Sequence, residues 1–335
     1  MAFRSEHPRD AVEGKIGGRL RLNGSCSEAL RQFRRYRSAS RVMAMISVEQ
    51  LRYVRLGTPD LDRAVAFARR IVGLELVGQD DDQAWFRSDY RDHTLVFVAG
   101  DPADQTLGIE VRDPASLESA RADLEAAGLA VMAGDDAGRR ARKVKDYISF
   151  ISPGGLRIDL VLRPLHSGWR YFPARDAGIT GFHGVAIRST DIKGDERLWT
   201  AVLSGLVSDW VGEAAYIRTD DRHHRISLHP STTGGLLEVQ FEIEGLDQLM
   251  QNAYWLRSAQ VKLLHGPGRQ PASGQIFLTF QGVDDVAFGY VAEGERFAPD
   301  QPHRLPRQFA HARSSFCAWS SECAMIEYAA EGEPQ

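Results

Sequence analysis

The stretch TDDRHHRISLHP, residues 219 to 230, carries three histidines, His223, His224 and His229, within seven positions. Imidazole titrates near neutral pH and is the commonest metal ligand, so these residues suit acid/base chemistry or metal binding. Read as one strand, the stretch puts His224, Ile226 and Leu228 on one face and His223, Arg225, Ser227 and His229 on the other. At roughly 3.3 Å per residue, His223 and His229 would stand about 20 Å apart, too far to chelate one ion. Strand geometry thus separates His224 from its neighbours, and the stretch does not read as a three-histidine metal site.

The elements that must position these residues repeat along the chain. LRYVRLGTPDLDRAVAFARRIVGLELV (51–77) and FHGVAIRSTDIKGDERLWTAVLSGLVSDWV (182–211) each read as a strand, a turn at an aspartate, an amphipathic helix and a further strand. Asp60 and Asp191 are 131 residues apart, as are His93 and His224. The strand-then-helix segment at 105–128 matches 237–260, and SPGGLRIDLVL (152–162) matches GVDDVAFGYVA (282–292). Self-similarity at a fixed period is a strong architectural signal. It predicts an α+β chain of four βαβββ modules, paired into two units that each form a half-closed, eight-stranded cup with helices outside. The boundaries expected are a flexible extension over 1–45, an N-terminal unit over 46–165, a linker over 166–178, a C-terminal unit over 179–300 and a tail over 301–335.

This pattern resembles the vicinal oxygen chelate superfamily, which also holds glyoxalases and bleomycin-resistance proteins. The strings YVRLGTPDL, RDHTLVF, SGWRYFPARDAGITGF, DDRHHRISL and HGPGRQPASGQIFLTF are similar to the type I extradiol ring-cleaving dioxygenases acting on catechols and dihydroxybiphenyl. The resemblance covers roughly residues 47 to 320 and implies Fe(II) or Mn(II) on a His, His, Glu triad in the C-terminal cup, with sites left open for substrate and O2. The repeat locates those positions. The first falls on Gly184, with His183 one residue early, so that only a bulge would turn His183 inward. The second falls on Glu238 and the third on Gly289, which has no ligand atom. The metal candidates are therefore His183 and Glu238 alone.

The resemblance also implies that His224 is the acid/base, with Gln270 and Thr279 standing where the family carries a histidine and a tyrosine. His183, His265 and Phe280 are the candidate substrate contacts. Residues 265–274, HGPGRQPASG, precede a strand and lack the GK[ST] of a phosphate loop. The aromatics Trp199, Trp210, Tyr216, Trp255 and Phe280 follow the core spacing of their elements.

The bulk numbers agree with such a protein. The 335 residues are 43% hydrophobic and 26% charged with a formal net charge of -4, which offers nucleic acid or an anionic membrane no electrostatic footprint. No apolar run approaches the roughly 20 residues of a membrane span. Three cysteines, Cys26, Cys317 and Cys323, suit a reducing compartment and suggest a cytoplasmic protein. The partner expected is a small aromatic molecule, and a homo-oligomer follows from the resemblance. Three functions stay open: an extradiol-dioxygenase-like enzyme on a catechol-like or polyketide-like compound, a metal-independent isomerase, cyclase or lyase using His224, and a non-catalytic aromatic binder.

Overall fold

The computed structural model describes residues 46–298 and 304–328, all within the compact unit Ala44–Gln335. The extension expected at 1–45, with Cys26, lies outside the described residues, as do residues 299–303 and 329–335.

Local signals set the first module. β1 (Val48–Thr58) ends at a turn in which Asp60 caps α1 (Leu61–Phe67), its Oδ1 accepting from the Arg63 amide at 2.9 Å. Asp191 does the same for α4 (Ile192–Arg197) after β9 (Ile179–Ser189), accepting from the Gly194 amide at 2.9 Å. Each cap satisfies an amide the helix leaves unpaired and is worth about 1 kcal/mol. The aspartates found 131 residues apart are thus the same joint built twice.

The first sheet has eight strands. β2 (Glu75–Gln79), β3 (Gln83–Arg87) and β4 (Leu95–Ala99) complete module one; β5 (Gln105–Val111), β6 (Met132–Ala133), β7 (Val144–Ile151) and β8 (Arg157–Pro164) form module two, with helices α2 (Pro114–Ala126) and α3 (Asp136–Arg142). The order β2-β3-β4-β1-β5-β8-β7-β6 joins the modules at antiparallel β1 and β5. The second sheet repeats this plan with β10 (Leu206–Val211), β11 (Ala214–Arg218), β12 (Ile226–Pro230), β13 (Gly235–Ile243), β14 (Leu263–Arg269), β15 (Ile276–Gln281) and β16 (Ala287–Ala292), joined at antiparallel β9 and β13. Helix α5 (Leu246–Ser258) belongs to its fourth module. The α+β class and the four βαβββ modules follow the sequence period.

One difference is an added ninth strand. β17 (Arg307–Phe309), from the tail, runs parallel to β10 and closes that edge of the second sheet. Covering an exposed edge removes a row of unpaired backbone groups.

One apolar core runs continuously through both sheets on their helix-bearing faces, with Leu56, Phe97, Ile109 and Leu160 from the first and Ile187, Ile226, Val239 and Phe288 from the second. The segment between β8 and β9 fastens the two sheets. Arg175 donates to Asn252 and to the Tyr290 hydroxyl, each at 2.8 Å, and Tyr290 donates to the Val72 carbonyl at 2.8 Å. Among the described residues no helix is long and apolar enough to cross a membrane.

Candidate functional site

Sheet register fixes which positions correspond. Tyr53, Gly108 and Asp159 lie in one row across β1, β5 and β8. Gly184, Gln240 and Gly289 occupy the same row across β9, β13 and β16. Two residues along, Arg55 faces Thr106 in the first sheet and Ala186 faces Glu238 in the second. The N-terminal row is filled by its own side chains: the Tyr53 hydroxyl donates to Asp159 at 2.9 Å, and Arg142 donates to the same carboxylate at 2.6 Å.

Beside the C-terminal row, two residues along β13, the decisive residue is Glu238. It is buried on β13, where it accepts from the Thr279 hydroxyl at 2.9 Å and from the Gln240 amide at 3.1 Å. Its Oε1 occupies the space that a Cβ at Gly289 would need. Burial disfavours the carboxylate and pushes its pKa up to about 7, with the two hydrogen bonds offsetting part of that rise.

The three histidines gather around one tyrosine, which overturns the face assignment made from alternation. The Tyr216 ring centroid lies 5.0 Å from His224, 6.1 Å from His223 and 6.1 Å from His229. Residues 219–225 form a turn, and β12 begins only at Ile226, so strand periodicity does not apply to His223 and His224. Ile226 and Leu228 face the core as expected. His224 instead stands beside His223, their Nδ1 atoms 3.0 Å apart. Burial first, then His223, His229 and Arg225, hold the His224 imidazole well below its ordinary pKa, so it is neutral.

His183 does sit at a bulge. The β9–β13 register shifts between the pairs Gln240–Gly184 and Phe241–Phe182, leaving His183 as the extra residue. Its ring meets His224 edge-on at 5.8 Å, and neither ring nitrogen has a hydrogen-bond partner among the described residues. It borders a cavity of about 530 Å³ between the two halves, walled by Asp89, Arg91, Arg225 and Glu242 among others.

The remaining expected contacts divide. Thr279 touches Glu238, and its cross-strand partner His265 is buried rather than at the surface, against Phe277 and Tyr328. Phe280, taken as a substrate contact, points the other way. It is fully buried in the apolar core against Phe288 and Tyr290, where a phenyl ring contributes about 1.5–3 kcal/mol of burial. Gln270 lies in the turn before β15 and accepts from Ser273 at 2.5 Å, with no bond to Glu238 or His224. From sequence, Tyr216, His229 and the tail received no site role, and Gln240 was missed. Phe316 and Tyr328 pack against Tyr216 and Ala272, and Met325 packs against Ala186, Leu237 and Ala287. Alternation along β11 and β13 carried the signal for Tyr216 and Gln240.

No family model matches the chain. The 1,2-dihydroxynaphthalene dioxygenase of Sphingobium xenophagum is 29% identical over 295 residues, 81% of this chain and 97% of that protein. The biphenyl-2,3-diol 1,2-dioxygenase of Paraburkholderia xenovorans (strain LB400) is 31% identical over 203 residues, 55% of this chain and 67% of that protein. The chain belongs to the extradiol dioxygenase family. Its fold also matches the Mn(II)-bound glyoxalase of Novosphingobium aromaticivorans, with a TM-score of 0.75 at 23% identity over 84% of this chain and 94% of that one.

Against that family background the residues present do not fit the metal. Gly184 and Gly289 bring no ligand atom, and a Cβ at 184 would collide with the Arg225 carbonyl oxygen, so backbone closes the first position. Glu238 has its oxygens engaged by Thr279 and Gln240. Among the described residues neither His183 nor Glu238 joins a cluster of three ligand groups. Asp209, His223 and Glu295 do approach within 4.8 Å of one another. However, Arg304 donates to Asp209 at 2.8 and 2.9 Å and to Glu295 at 2.9 Å, and Arg307 donates to Asp209 at 2.7 Å. Two guanidiniums already neutralise the two carboxylates, and a divalent ion would have to displace them. The cluster is an ion-pair network that holds His223.

Proposed function

We propose that this protein binds a hydroxylated aromatic small molecule, catechol-like or polyketide-like, in the C-terminal cup and moves protons on it through His224 and Glu238, without the His, His, Glu metal of the family. The observation that carries this reading is the Glu238 carboxyl lying over Gly289, held by Thr279 and Gln240 with a pKa of about 7. A carboxyl poised there both gives and takes a proton near neutral pH. The neutral imidazole of His224, edge-on to the Tyr216 ring at 5.0 Å, is the second proton acceptor. Isomerisation, cyclisation and elimination each need one proton removed and another returned, which suits two such groups.

The substrate class comes from the relatives, whose names specify aromatic diols. The working unit is assigned to residues 179–300, with Phe316, Met325 and Tyr328 of the tail packed against it, and the N-terminal unit at 46–165 acts as its structural partner in a cytoplasmic homo-oligomer.

The test incubates the full chain with 1,2-dihydroxynaphthalene or biphenyl-2,3-diol in the presence of a chelator, and follows binding, oxygen uptake and product mass. Binding, no oxygen uptake and a product of equal or dehydrated mass are expected, with His224→Ala lowering turnover by about 10² or more. Oxygen uptake with a ring-cleaved product contradicts the reading. A bound diol recovered unchanged replaces it with non-catalytic binding.

A further inference from the structure

Asp209 on β10, His223 and His224 form a hydrogen-bonded line that the residue roles above do not use. Asp209 is fully buried and held by the guanidiniums of Arg304 and Arg307 and by the Arg307 amide at 2.7 Å. Burial alone would raise its pKa, but hydrogen bonds from His223, Arg304 and Arg307 outweigh it and hold the carboxyl well below the usual range. Asp209 is therefore an acceptor only. Its Oδ2 lies 2.8 Å from His223 Nε2, and that nitrogen must carry the proton.

The rest follows by counting protons. His223 is buried, and burial keeps its imidazole neutral despite Asp209. With its single proton on Nε2, His223 Nδ1 presents a lone pair. His224 Nδ1 stands 3.0 Å from that lone pair, so the His224 proton sits on Nδ1 and its Nε2 is bare.

We propose that Asp209 and His223 are positioning residues that lock His224 in the Nδ1–H tautomer and make Nε2 its basic atom. When a ligand hydroxyl reaches Nε2, its proton passes to that nitrogen, leaving an oxyanion on the ligand and an imidazolium on His224. The Nδ1 proton stays in place, held by His223, whose own dipole is held by Asp209. The consequence for turnover rests on the proposed function; the tautomer itself does not.

The test is nitrogen-15 NMR of the histidine rings in the full chain at neutral pH, without ligand, with His224→Gln assigning the His224 signals. The expected spectrum has a protonated Nδ1 and an unprotonated Nε2 on His224. Asp209→Leu removes the acceptor of the His223 Nε2 proton, which leaves both His223 tautomers, and with them both His224 tautomers, populated. His223→Phe, which keeps a ring against Phe297, removes the acceptor and leaves both His224 tautomers populated. It also decides the matter if loss of the Asp209 charge unfolds the chain. A wild-type His224 protonated on Nε2, or a His224 tautomer unmoved in the folded variants, overturns the proposal. A chain with the expected tautomer that fails to bind a diol keeps this inference and ends the functional reading; binding with the opposite tautomer does the reverse.

Discussion

At the scale of single residues, Glu238 is the informative side chain. Its folded pKa of about 7 lies above its ordinary value of 4.5. Between those values the folded chain keeps a proton that the unfolded chain has released, so stability falls as pH rises through that window. Above pH 7 the deficit is complete, and the gap corresponds to about 3 kcal/mol. Glu238→Gln should therefore raise unfolding stability by up to about 3 kcal/mol at pH 8 and leave it nearly unchanged at pH 4, measured by urea denaturation. A variant equally affected at both pH values would mean that the carboxyl is not strained by burial. At this scale the sequence was partly legible. The strict period of the repeat singled out Gly184, Glu238 and Gly289, and the sheet register sets Gly184 and Gly289 in one row on either side of β13, with Glu238 reaching over Gly289. The Asp209 to His223 bond was not legible, since it joins residues 14 positions apart on elements whose approach depends on the whole sheet.

At the scale of elements, the bulge in β9 and the turn before β12 decide which side chains meet. The backbone of Arg225 presses against Gly184, whereas only a flexible side-chain end presses against Gly289. Gly184→Ala should then cost about 1–3 kcal/mol, because backbone cannot step aside, and Gly289→Ala should cost less. Thermal melts of both variants check the order, and an equal loss in both would remove the argument that backbone closes the first position. The helix joints at Asp60 and Asp191 were readable from sequence because a cap is a local bond. The faces of His223 and His224 were misread because alternation presupposes a strand, and the strand starts at Ile226. β17 left no periodic trace at all: three residues pair with β10 only because the tail returns to that edge.

At the scale of the whole molecule, the polar interior sets the pH range in which the fold is stable. Burial lowers His93 to about 4, His229 to about 3 and His265 to about 4, each from an ordinary 6.5. Below pH 6.5 the unfolded chain binds protons that these folded sites refuse, so stability is lost as pH falls from about 6.5 toward 4. Glu238 changes in the opposite sense over part of that range, but the buried imidazoles outnumber it, since His183, His223 and His224 are lowered as well. The midpoint of thermal unfolding should drop between pH 7 and pH 5, by more in Glu238→Gln than in the wild type, and a midpoint that rises toward pH 5 would contradict this. The central claim, that the family's metal chemistry has given way to proton transfer, is tested most directly by elemental analysis of freshly purified, desalted full chain. The account predicts iron and manganese far below one ion per chain. About one ion per chain, lost on Glu238→Gln, would contradict it.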